Sequence, residues 1–506
     1  MRRLPAVLLL AAAALPAAEE VPKPGVAVER FGPVTRVHAV CDGSLDDVAV
    51  PGVGSRRELL AVVTPLPPEK SGPEACTASK PADTPEVHRL VRVEWRGAGA
   101  LESLRDGVPP RLAADDADGD GTDDVLLASA GTIRWLARGA DGAWSGELRT
   151  LLEDRDLEVL NVPSLGPAEV PPGPGAFRHL GVPGALRAYG PAGEGAGWTR
   201  SSESELPKEV AVRADRLIAY SPQVRWVGRA ADGPVFATQP RAVGAERLRT
   251  RVVRARAGQT PLAFDSWLKL PAAEELLEHE FLLLDGQPAL VVLTRRSDKL
   301  RVFGEKLVRV HALEADRTRA GRAPLGAFES RANLWQDVTP LAHDYDGDRR
   351  EDLLLAYWKG DDTLMFDLYA RQANGGFAAA PRSSSIGAKK GDGAFLVLAD
   401  VDADGVPDAL VKADRRLLLY PGRADARRPF AREPAWAVPL PKAFTDSGGR
   451  GMYVGGEGVQ FMSFGNEAET AVVDLDGDGT REVVMLGRTA PERGELLVIG
   501  FHGRQP

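Results

Sequence analysis

Sixteen acidic side chains of this 506-residue chain fall into four copies of one spacing. The copies are Asp116, Asp118, Asp120 and Asp124; Asp344, Asp346, Asp348 and Asp352; Asp400, Asp402, Asp404 and Asp408; and Asp474, Asp476, Asp478 and Glu482. Carboxylates at positions 1, 3, 5 and 9 of a tight loop turn their oxygens toward one centre. A backbone carbonyl at position 7 can add another ligand. That donor set suits a hard cation with six to eight oxygen ligands, so calcium is expected in preference to magnesium. Glycine at position 6 supplies the left-handed backbone that wraps an ion. The second copy carries Arg349 there, which strains the backbone and sets a cation beside the ion, so the site at Asp344 is expected to be the weakest.

Each loop runs straight into an apolar stretch: VLLAS, LLLAY, ALVKA and VVMLG. An EF-hand needs glutamate at position 12 and flanking helices. Position 12 here is Leu127, Leu355, Val411 or Met485, inside strand-like runs, so that motif is excluded. A second strand-like run follows, as in 132–144, 364–377 and 416–430, with Gly and Asn at the turns. The repeating unit is therefore strand, acidic loop, strand, turn, strand.

Degenerate copies fill the space between the first and second loops. Asp285 opens DGQPALVVLT, Asp232 opens DGPVFATQ, and residues 185–198 resemble 133–144. Post-loop strands are expected near residues 91, 133, 186, 253, 308, 366, 418 and 497. Units of this length with several short strands each predict an all-β fold: a single seven- or eight-bladed β-propeller of four-stranded blades with calcium-binding loops, one blade shared between the chain ends. The expected division is 1–18, a signal peptide; 19–32, an N-terminal tail; and 33–506, the propeller, with loop inserts at 65–86 and 163–175. The stretch 266–281, with Leu268, Leu276 and Leu277 at helical spacing, is read as a short helix between blades.

The loop motif and the NGGF at 374–377 resemble the FG-GAP and VCBS repeats of bacterial secreted proteins, the repeat type of the integrin α-subunit propeller. That resemblance implies a calcium-bearing β-propeller that acts in adhesion or ligand binding, with up to four structural calcium ions. It implies no particular partner.

Composition agrees with one large ring. With 43% hydrophobic residues the chain can bury a core, and two cysteines exclude a disulfide-dense or cysteine-rich zinc protein. A net charge of -9 argues against a general affinity for nucleic acid or anionic membrane. Residues 1–18 join Arg2 and Arg3 to an apolar run ending in small residues, the pattern of a cleaved signal peptide and too short to span a bilayer. No cysteine closes that run, so the expectation is a soluble, monomeric, secreted or periplasmic protein with no membrane insertion and a protein or glycan ligand. In an oxidising compartment Cys41 and Cys76 are disulfide candidates, with two unpaired thiols as the alternative.

The second class of reading is a propeller enzyme, a hydrolase or lyase with its site at the central funnel. The seven histidines are scattered, and neither H-E-x-x-H nor G-x-S-x-G occurs. No catalytic residue is assigned from the sequence. Glu278-His279-Glu280 is read as a solvated helix end, His343 as a strand cap beside its loop, and Asp361-Asp362 as a polar hairpin turn.

Overall fold

The computed structural model describes residues 25–64, 90–92 and 111–501, with interruptions that include 155–174, 445–452, 464–468 and 475–478. The chain runs through antiparallel sheets in sequence order. One holds Arg111–Asp115, Asp124–Ser129, Thr132–Arg138 and Trp144–Glu153. Another holds Thr339–His343, Asp352–Lys359, Thr363–Tyr369 and Arg382–Gly387, and the next Phe395–Ala399, Asp408–Ala413, Arg416–Tyr420 and Trp436–Pro439. Sheets over 179–205, 224–269 and 274–329 lie between the first of these and the second, and 44–92 precedes them all. Within 44–92, Leu90–Arg92 pairs with Leu59–Thr64 in parallel. The expected post-loop strands are all present, from Leu90–Arg92 to Arg493–Phe501.

Burial shows how the sheets face one another. Asp352–Lys359 is buried along almost its whole length. Leu354, Ala356 and Trp358 enter one apolar cluster with the 395–439 sheet, while Leu353, Leu355 and Tyr357 enter another with the 274–329 sheet. Successive side chains of a strand point to opposite faces, so a strand covered on both faces reads as an unbroken apolar run rather than an alternation. Similar clusters join 111–153 to 179–205, 179–205 to 224–269, and 224–269 to 274–329.

The last sheet closes the series. In it Val34–Asp42 pairs along its full length with Arg493–Phe501, which pairs in turn with Glu482–Ala490 and then Glu469–Val473. One face of this sheet packs on 395–439 through Val483, Met485, Leu497 and Phe501, and its strands also touch Ser44–Ala49. Each of these sheets thus contacts the one before and the one after, and the last meets the first. First strands of neighbouring sheets touch, as Val224–Ala230 touches Glu274–Leu284 and that touches Thr339–His343. They are therefore the innermost strands of a ring. The protein is a β-propeller.

Two sequence expectations need correction. Residues 266–281 are not helical: Gln259–Lys269 and Glu274–Leu284 are strands. Leu268 is fully buried in the sheet core, and Glu274 turns inward to Arg309 and to Thr294 Oγ1 at 2.7 Å, so cross-strand pairing outweighs the helix-like leucine spacing. Glu278-His279-Glu280 accordingly lies within a strand. The presumed tail also contributes structure, because Gly25–Phe31 adds to Val34–Asp42 as an edge strand. Residues 1–18, Cys76 and the insert at 65–86 lie outside the described residues, as does the 163–174 part of the second insert.

Candidate metal centre

Each acidic loop joins two adjacent antiparallel strands of a sheet: Arg111–Asp115 to Asp124–Ser129, Thr339–His343 to Asp352–Lys359, Phe395–Ala399 to Asp408–Ala413, and Glu469–Val473 to Glu482–Ala490. In the degenerate repeats the same connection is a tight turn, Ala231-Asp232 or Asp285-Gly286. Where they are described, the loops share one backbone geometry. The position-6 amide donates to the position-1 carboxylate every time: Gly121 to Asp116 at 3.0 Å, Arg349 to Asp344 at 2.7 Å, Gly405 to Asp400 at 3.0 Å and Gly479 to Asp474 at 3.1 Å. Position 6 is left-handed in each, with φ of 87°, 68°, 85° and 93°. Arg349 therefore adopts the conformation that glycine adopts elsewhere, at a steric cost. Position 4 is left-handed too in the three loops where it is described, with Gly119 at 85°, Gly347 at 78° and Ala403 at 59°. Glycine at position 4 of the other loops marks this second constraint in the sequence, and Ala403 is the one departure from it.

Three sets of ligand atoms lie within 4.8 Å of one another: Asp116, Asp118 and Asp124; Asp344, Asp346 and Asp348; and Asp400, Asp402 and Asp404. Asp120 accepts the Thr122 amide at 2.8 Å, and Asp348 is also engaged by the Arg350 guanidinium. Asp476 and Asp478 fall outside the described residues, so the fourth loop is seen only at Asp474 and at Glu482, whose side chain is buried.

Position 9 does more than the spacing rule foresaw. Asp124 is fully buried and accepts two backbone amides, Ala117 at 3.0 Å and Arg138 at 2.7 Å. Asp352 does the same with Tyr345 and Arg371, and Asp408 with Val401 and Gly422. One carboxylate thus ties position 2 of its loop to the end of the third strand. Burial pushes Asp124 and Asp408 up to about 7 and Asp352 to about 6, and the neighbouring loop carboxylates add to the shift.

The loops also reach across blades. Arg178 of the next sheet holds Asp115 at 2.9 Å, and Trp198 Nε1 donates to the Ala117 carbonyl at 3.3 Å. The Glu351 amide donates to Asp285 at 3.0 Å, and Glu351 accepts the Asp285 amide in return. The Arg481 amide donates to the Val401 carbonyl at 2.9 Å, which joins the third loop to the fourth.

Among the other sequence candidates, His343 ends its strand and packs edge-on against Tyr345, and Asp361-Asp362 sits in a hairpin turn. His38 pairs with Glu495 at 2.7 Å, on the adjacent strands Val34–Asp42 and Arg493–Phe501 in the interior of the closing sheet.

Fold and loops together define a β-propeller with repeated acidic inter-strand loops. No protein family matches the sequence, and no curated protein does. Among solved structures the chain is similar to the Dos1 propeller, with 9% identity over 75% of this chain and 90% of that one and a TM-score of 0.32. It is also similar to the extracellular domains 1–2 of Drosophila Semaphorin 1b, with 9% identity over 94% and 85% and a TM-score of 0.31. Drosophila Plexin A in complex with Semaphorin 1b gives 10%, 94%, 85% and 0.32. The ring assignment rests on the strand order and packing above. No helix among the described residues is long and apolar enough to cross a membrane.

Proposed function

We propose that this propeller is an exported binding or scaffold module of the FG-GAP/VCBS type whose acidic loops hold calcium. The reading is carried by the convergence of carboxylates in three separate loops of the same backbone geometry. The donor set is all oxygen, which suits a hard divalent cation. Asp346 Oδ1 adds a further sign of fit, because it is buried and accepts no hydrogen bond. Position 1, 3, 5 and 9 carboxylates with the carbonyls of Thr122, Arg350, Val406 and Thr480 would form the four ligand sets. A divalent ion supplies positive charge where burial and repulsion now oppose ionisation.

The role follows from position. The loops fasten first strands to second strands and lean on the neighbouring blades, so calcium there would stiffen the ring rather than act on a substrate. At a hundredfold excess over the dissociation constant, each site adds about 2.7 kcal/mol to stability. For a ring of this length the unfolding entropy is about 1 kcal/mol/K, so each filled site raises the melting temperature by about 3 °C. Calorimetry with calcium and with chelator tests this, and an unchanged melting temperature refutes the calcium reading. Export rests on the 1–18 segment and is tested by cell fractionation with N-terminal sequencing of the mature protein. Screening the purified monomer against envelope proteins and glycans, with and without calcium, tests the binding role.

A further inference from the structure

Two short strands lie where the repeat leaves no place for them. The strand before an acidic loop is the innermost of its blade, as Thr339–His343 shows by touching Glu274–Leu284 of the preceding blade. Phe395–Ala399 and Glu469–Val473 hold that position in the 395–439 sheet and in the closing sheet. Each has its second strand on one edge, Asp408–Ala413 and Glu482–Ala490. The other edge faces the axis of the ring, and in both blades it is paired. Gln460–Ser463 runs antiparallel to Phe395–Ala399, with Met462 opposite Leu396 and Phe461 opposite Val397. Tyr453–Gly455 runs parallel to Glu469–Val473, with Val454 opposite Ala471. Leu396 and Leu398 are buried against the 339–387 sheet, and Val397 and Ala399 against the closing sheet. Covered on both faces and on both edges, Phe395–Ala399 is enclosed all round.

Both added strands belong to the stretch that links the two blades. The chain leaves the 395–439 sheet at its outermost strand, Trp436–Pro439, and resumes the blade pattern at Glu469–Val473. The equivalent link one blade earlier is only 388–394. Returning from the outer to the inner edge of a four-stranded blade crosses three strand spacings, about 14 Å, which a link that short can span. Most of 440–468 is therefore surplus to the connection. Residues 445–468 read TDSGGRGMYVGGEGVQFMSFGNEA, rich in glycine, free of proline and carrying two of the chain's five methionines. Glycine lets two backbones approach closely, and methionine fills irregular space. The inserts at 65–86 and 163–175 are rich in proline instead, a composition that suits no ladder.

We propose that Tyr453–Gly455 and Gln460–Ser463 form a built-in plug that closes the central channel of the propeller. The blades of a propeller surround an axial channel, and the inner strand edges that border it carry amides and carbonyls in need of partners. Two added strands, each about 4.8 Å across, narrow that channel from two neighbouring sides and supply those partners from the chain itself. The plug occupies the place where a funnel site would lie. A partner is left the loop ends and the outer edges of the blades. The inference goes beyond the binding-module reading and stands without calcium or export.

Hydrogen exchange read by mass spectrometry on the full chain tests the plug. In the unaltered protein, amides of 453–455 and 460–463 are expected to exchange at least tenfold more slowly than in the urea-unfolded chain. A shortened variant, with 447–466 replaced by Gly-Ser-Gly-Ser, bares the two inner edges. In it, peptides covering 395–399 and 469–473 are expected to exchange at least tenfold faster than in the unaltered protein, while that covering 352–359 stays unchanged. The single variant Ser463→Cys probes access to the channel. Its introduced thiol is expected to react with a polyethylene-glycol maleimide at least tenfold more slowly in the folded protein than in urea. Unfolded-chain exchange at 453–455 and 460–463 overturns the proposal, as does unchanged exchange at 395–399 and 469–473 in the shortened variant or equal labelling of the thiol in both states. If the shortened variant does not fold, exchange in the unaltered protein still decides. None of these readouts involves calcium or a ligand, so their failure leaves the binding-module reading standing.

Discussion

Replacing Asp124 by alanine separates the backbone tie made by position 9 from the calcium binding proposed for the same loops. The side chain is fully buried and accepts the amides of Ala117 and Arg138. Alanine leaves both amides without a partner, and each buried unsatisfied group costs about 1–3 kcal/mol. A total near 4 kcal/mol, against an unfolding entropy of about 1 kcal/mol/K for this length, lowers the melting temperature by about 4 °C. Asparagine keeps one acceptor and is expected to lose about half as much. The assay is calorimetry in excess chelator, so that no lost metal contributes. Asp118 serves as the contrast, since it is exposed and accepts only the Asp120 amide at 3.2 Å. Asp118→Ala is expected to move the chelated melting temperature by less than about 1 °C. It is expected to remove that site's calcium-dependent rise of about 3 °C. If the two alanine variants fall equally in chelator, position 9 is not a structural tie and the reasoning fails. Asp352→Ala and Asp408→Ala repeat the measurement in loops of the same geometry.

Other outcomes follow from the same contacts. Arg349→Gly and Ala403→Gly relieve left-handed backbone at 68° and 59°, and each is expected to stabilise the chelated protein by about 1 kcal/mol in urea melts. Arg349→Gly should also tighten calcium binding at its loop by titration calorimetry, since it removes a cation from the site. His311 is 1% exposed, neither ring nitrogen has a hydrogen-bond partner, and burial pushes it down to about 4. The unfolded chain takes up that proton near pH 6.5 and the folded chain does not, so stability is lost as pH falls from 6.5 toward 4, by about 3 kcal/mol at most. His311→Phe should flatten that part of the profile without loss at pH 7.5, and an unchanged slope would count against the assignment. Glu351→Ala removes the acceptor for the Asp285 amide and is expected to lower the melting temperature by about 1–2 °C.

The sequence carries the loops and the strands after them because both are local patterns. Four carboxylates at fixed offsets need no partner to be seen, and a strand buried on both faces shows as a run such as LLLAYW. What the local pattern does not carry depends on distant backbone. The double acceptance by Asp124 involves an amide 14 residues away, and the Asp285–Glu351 exchange spans 66. The stretch 266–281 has helical leucine spacing yet forms strands for a related reason. Glu274 sits inward only because Arg309 and Thr294 meet it from other strands, a pairing invisible in the leucine spacing. Gly25–Phe31 alternates as a strand should, but its place is set by Val34–Asp42 and, through it, by the far end of the chain.

That last dependence has a kinetic side. His38 and Glu495 are 457 residues apart, and Val34–Asp42 finds the rest of its sheet only in Arg493–Phe501. During folding, the hairpin of Gly25–Phe31 and Val34–Asp42 keeps one edge bare until Arg493–Phe501 reaches it. Contacts of such long range form slowly, and an uncovered strand edge invites pairing with another chain. Premature termination before residue 493 would leave that edge permanently open. Such a fragment would fail by aggregation rather than by loss of a ligand.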